Sequence, residues 1–127
     1  MNESTGKLIL RLALGSLILF HGVAKLIGGV GGLSGMVTAA GLPSFVTYGV
    51  YVGEVVAPVL VLLGWYSRIG AALIAINMLF AIALAHRADL FVIGKTGGWA
   101  LELQGMFLFT AIAIALMGPG RFSVNGK

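Results

Sequence analysis

Residues 44–64 read SFVTYGVYVGEVVAPVLVLLG, an apolar run with a single charged side chain, Glu54. A run of about 20 apolar residues is the length at which a helix crosses the hydrocarbon core of a bilayer. Lipid offers a backbone no hydrogen bonds, so such a run satisfies its own amides as a helix. The alternation expected of barrel strands is absent. Comparable runs lie at 8–27, 69–88 and 99–118. The chain therefore reads as all-α, an integral membrane bundle of four transmembrane helices in up-down order. It forms a single domain over residues 1–127.

Composition supports this reading. Hydrophobic residues make up 59% of the chain and charged residues 9%, against about 25% charged in a soluble domain. So few charges cannot cover a water-facing surface. There is no cysteine, which excludes disulfide exchange, thiolate metal sites and Cys-ligated clusters within this chain. The net charge of +4 is spread over scattered Lys and Arg without a basic run, so it points to membrane orientation and not to nucleic acid.

The connections are short. The glycine-rich stretch 28–41 reads as a flexible first loop ending at Pro43. Residues 66–68 form a tight turn, residues 89–98 a third loop, and Gly118-Pro119-Gly120 a sharp stop after the last span. The first span, with Lys7 and Arg11 before Leu12–Phe20, has the outline of a signal peptide. His21, Lys25 and the lack of a small-x-small site favour a retained helix. Four spans place both termini and the second turn on one side. That side carries Lys7, Arg11, Arg68, Arg121 and Lys127, and the other carries Lys25, Arg87 and Lys95. The bias predicts that both termini are cytoplasmic.

Two motif fragments lack their context. Gly94-Lys95-Thr96 resembles the end of a phosphate-binding loop, but Asp89 stands where the earlier glycine is needed. Gly28-Gly29-Val30-Gly31-Gly32 has no βαβ unit around it, and Ser34 stands at the final glycine position.

Small residues recur every fourth position: Gly49, Gly53 and Ala57 in the second span, Ala71 and Ala75 in the third, Ala111 and Ala115 in the fourth. Such rows let helix backbones approach closely, within one bundle or between copies of the chain. Pro58 cannot donate to the carbonyl of Glu54 and should kink the second span beside that carboxylate.

Ionisable residues inside membrane spans mark functional sites by default. The candidates are His21, Lys25, Glu54, His86 and Glu102, with Arg11 read as a cytoplasmic anchor and Arg87 as an interfacial residue. At about 1.5 Å per residue, Glu54 lies about 15 Å deep and His21 about 10 Å from the outer boundary. His21 and Lys25 are four apart, on one helical face. The expectation is a polar cluster of His21, Lys25, Glu54 and Glu102 with His86 at its rim. Its bland counterpart is structural ion pairing among the same residues. Asn77 in the third span reads as an interhelical hydrogen bond. The two His and two Glu show no metal-ligand spacing, and no haem motif is present. An apolar cleft with a few acid–base groups suits a quinone, and Phe20, Tyr48, Tyr51 and Trp99 are candidate walls.

With these residues in view the chain resembles the DoxX family of small bacterial membrane proteins. The resemblance rests on Arg11, Phe20-His21-Gly22-x-x-Lys25, Gly41-Leu42-Pro43, Glu54 with Pro58, Gly64-x-x-x-Arg68, His86 and Gly118-Pro119-Gly120-x-x-Ser123. It spans about 8–124. Val124-Asn125 stands where the family ends in Leu-Asp. The family is named for a subunit of a terminal quinol oxidase, and related proteins are linked to quinone-dependent redox complexes with protein partners. The resemblance thus implies an accessory membrane subunit of a redox or respiratory complex, any enzymatic activity belonging to that complex. The rival readings are a non-enzymatic scaffold or assembly factor and a small proton-coupled transporter.

Overall fold

The computed structural model describes residues 2–29, 31–85, 90–95 and 97–127. Five helical elements follow in order: α1 (Asn2–Gly28), α2 (Gly31–Ala39), α3 (Ser44–Leu63), α4 (Ser67–Ala85) and α5 (Glu102–Met117). Three of these, α1, α3 and the Ser67–Leu84 part of α4, are long and apolar enough to cross a membrane, and α5 is a shorter apolar helix.

Packing closes a ring in which α1 lies on α3, α3 on α4, α4 on α5, and α5 back on α1. The up-down order is visible at one end of the ring. There the start of α1 meets the segment after α5, through Arg121 N–H donating to Ser4 Oγ. The α3–α4 turn meets the same segment, through Val124 N–H to Leu63 O and Asn125 N–H to Gly64 O.

The core mixes small residues, Ala57, Ala71, Ala75 and Ala111, with larger ones, among them Leu14, Ile18, Met78 and Phe107. Large apolar side chains such as Phe20, Phe109 and Leu116 point outward. A soluble bundle would not leave so many large apolar side chains exposed. Here close backbone approach holds the helices together and the outer face suits hydrocarbon.

α3 is not uniform. It opens with a 3₁₀ turn at Ser44–Tyr48, passes through Gly49–Tyr51, widens into a π-turn at Val52–Val56 and resumes as α-helix at Ala57–Leu63. The expected proline kink thus takes the form of a π-turn. Pro58 has no N–H for the carbonyl of Glu54, and Ala57 N–H reaches back five residues to Val52 O. At the other end Gly64, at φ +71°, closes the helix in the left-handed conformation.

Two expectations about the connections are corrected. The stretch 28–41 is not a flexible loop, because Gly31–Ala39 is helical and packs on the 3₁₀ turn and on α4. Gly41, at φ +81°, ends that helix, with Leu42 N–H donating to Val37 O. The last apolar helix begins at Glu102 and not at Trp99, because the preceding residues form a small hairpin. Ile93 bridges Trp99 there, and the Trp99 indole N–H donates to Leu90 O at 2.8 Å.

Candidate functional site

Glu54 is buried inside the π-turn, near the middle of α3. Lys25, in the last turn of α1, holds one carboxylate oxygen at 2.5 Å. Asn77, near the middle of α4, donates to the other at 3.0 Å. Three helices therefore meet on one carboxylate. Two glycines allow it. A Cβ on Gly22 would collide with the carbonyl of Glu54, so α1 lies directly against the backbone of the π-turn. A Cβ on Gly53 would come within 2.5 Å of the Asn77 Cβ. The Tyr51 hydroxyl reaches the carbonyl of Lys25 at 3.4 Å.

Beside this carboxylate lies a cavity of about 630 Å³. Its walls are apolar side chains of α2, α3 and α4, and its polar groups are those of Lys25, Glu54 and Asn77. An apolar cavity with a few converging polar groups is the usual form of a small-molecule site. The carboxylate can accept a proton or hydrogen bond, and Lys25 has donors beyond the one used by Glu54.

The expected polar cluster is corrected. Lys25 and Glu54 meet, but His21 and Glu102 do not join them. The His21 ring stands edge-on to Phe107 of α5, with centroids 5.9 Å apart. Four residues on a helix leave a 40° offset, enough to turn His21 towards α5 while Lys25 faces α3. Glu102 is exposed in the first turn of α5, its carboxylate lying over Gly98 of the hairpin. His86 lies outside the described residues, as does Arg87. Among the described residues no three His, Cys, Asp or Glu side chains come together.

At the opposite end of the bundle stands a residue whose role is also corrected. Arg11 is not an anchor at the membrane surface but is buried between helices. Its guanidinium donates to the carbonyls of Val61 (2.9 Å), Leu62 (3.0 Å), Pro119 (3.1 Å) and Phe122 (2.5 Å). It thereby caps the end of α3 and ties down the segment after α5. Its place was visible as periodicity, since Arg11, Leu14, Gly15, Ile18 and Gly22 form the buried stripe of α1.

A ring of apolar helices joined by a part-buried ion pair, with a cavity at that pair, defines a small helical bundle of membrane type. The chain belongs to the DoxX family, whose model matches residues 6–87. That range contains Arg11, Lys25, Glu54, Asn77 and Arg68. The protein of Bacillus subtilis (strain 168) named "Putative oxidoreductase CatD" is 33% identical over 120 residues, covering 93% of this chain and 84% of the relative. No solved structure matches.

Proposed function

We propose that the protein is an inner-membrane accessory subunit of a quinone-linked redox complex, holding the quinone ring in the cavity beside Glu54. The observation that carries this is an apolar cavity whose polar groups are Lys25, Glu54 and Asn77, with Glu54 and Asn77 near the middle of their helices and Lys25 reaching Glu54 from the last turn of α1. A charge at that depth is costly and is kept where it serves an ion, proton or ligand path. Lys25 would donate to a ring oxygen, and Glu54 would pass protons. The reduction consumes two electrons, supplied by a partner subunit, and two protons, one for each ring oxygen. The naming of the Bacillus relative as an oxidoreductase supports the redox class.

The exposed Arg68, Arg121 and Lys127, and the half-buried Lys7, share the end where both chain termini lie. This supports a cytoplasmic position for that end. In this reading α5 makes the fourth crossing.

A second reading has one observation in its favour: both oxygens of Glu54 are already paired, with Lys25 and Asn77. A scaffold would need no more than that. The two readings separate on the quinone content of protein purified in mild detergent, beside a Glu54→Gln variant. Near-stoichiometric quinone in the native protein, lost in the variant, supports the quinone site. Absence of quinone from both, with a partner protein co-purifying, supports the scaffold and refutes the site.

A further inference from the structure

We propose that the cavity is loaded sideways from the hydrocarbon core and takes a neutral prenylated quinone, whose tail lies out through an opening framed by Val52, Ile76 and Phe80. This rests on reading the Glu54 cavity as a quinone site, and it adds the route and the class of quinone.

Three observations carry it. The first is depth. Glu54 and Asn77 lie near the midpoints of α3 and α4, about 15 Å from either edge of a hydrocarbon core about 30 Å thick. A phosphate or other charged headgroup is held at the interface, since bringing charge to mid-membrane is costly. A quinone ring is neutral and can meet these groups at their own level.

The second is where the cavity opens. Val52, Ile76 and Phe80 line it and are also 43%, 50% and 48% exposed. Ile76 and Phe80 are one turn apart on α4, so they stand on the same helical face. Apolar side chains exposed at this depth face lipid, so the opening leads into the bilayer. Towards the loops the cavity is lined by α2, where Val37 is 1% exposed and packed inward and Met36 adds a further apolar, 44% exposed side chain to the rim. Glycine at position 49 leaves part of this space free. Gly49 lines the cavity, and a Cβ there would meet nothing within 4 Å.

The third is the polarity of the lining. Lys25, Glu54 and Asn77 converge on one carboxylate, whereas Phe80, Ala81 and Leu84 continue along α4 as an apolar wall. This matches a molecule with one polar ring and a long hydrocarbon tail.

The test uses the full chain in phosphatidylcholine nanodiscs. Two quinones with the same ring, one carrying a long isoprenoid tail and one carrying none, are each added, and retained quinone is extracted after re-isolation. The tailed quinone is expected to be retained near one per chain, and the tail-less one far less. Gly49→Phe, which fills the cavity, is expected to lower retention about tenfold or more, the scale of an overpacked site. Gly49→Ala, which adds one Cβ in open space, is expected to retain the quinone and so to show that position 49 tolerates a side chain.

Equal retention of both quinones by the native protein overturns the lateral route and leaves the quinone site standing. Retention of neither overturns the site as well. Full retention by Gly49→Phe puts the ligand elsewhere and overturns the proposal.

Discussion

Replacing Lys25 with Met removes the only cation that pairs with Glu54 among the described residues. Two limits bracket the cost. Exposed ion pairs contribute about 0.2–1 kcal/mol, whereas stripping one partner from a fully buried pair costs about 3–5 kcal/mol. The Glu54 side chain is 6% exposed and that of Lys25 34%, so the pair belongs between the limits. A cost of about 2 kcal/mol is expected for Lys25→Met. Glu54→Gln keeps an acceptor for Lys25 and loses the charge, for about 1 kcal/mol. The double variant holds neither charge, so its cost should fall short of the sum by about 1 kcal/mol or more. The assay is reversible unfolding of all four proteins in mixed detergent micelles, followed by circular dichroism. Costs that add to within about 0.5 kcal/mol would refute the coupling and, with it, the ion pair as a structural unit.

Two further substitutions test the rest of the frame. Gly22→Ala places a Cβ against the backbone carbonyl of Glu54, which cannot rotate away. A loss of about 1–3 kcal/mol is expected in the same unfolding assay, whereas Gly28→Ala, with nothing within 4 Å, should be far milder. Arg11→Lys keeps the charge but replaces a planar fork with a single ammonium. It cannot span carbonyls on both α3 and the segment after α5, so trypsin is expected to cut at Arg121 faster in the variant, with the helices intact by circular dichroism. Unchanged cleavage would show that Arg11 does not hold that segment.

The helical framework was legible because lipid as solvent leaves few choices. A backbone that cannot bond to its surroundings must form helices, and apolar runs of the right length mark them. Glu54 announced itself as a charge in such a run, Pro58 as a break beside it, and Asn77 as a polar contact between helices. The form of the break was not legible. A missing N–H can yield a kink or a widened turn, and only the packing of Gly22 against the Glu54 carbonyl and of Gly53 against Asn77 shows which. α2 was hidden because glycine disfavours helix locally, while burial of Val37 against α3 and α4 overrides that preference. His21 was misplaced because residues four apart share a face only to within 40°, and close packing turns that offset into a different neighbour. Arg11 was read by the habits of charge near helix ends. Its four carbonyl partners come from two distant segments, and no local pattern reveals a contact of that kind.

The Arg11 guanidinium has a consequence for the order of assembly. Its acceptors at Pro119 and Phe122 lie 108 and 111 residues further along the chain. As the polypeptide emerges from the ribosome, α1 enters the bilayer carrying a cation whose partners do not yet exist. Val61 and Leu62 arrive with α3 and can satisfy part of it. The rest must wait until α5 has been inserted and the chain has turned back. The first helix therefore cannot reach its final state until the residues after α5 have been made, and the two ends of the chain are joined by this one side chain.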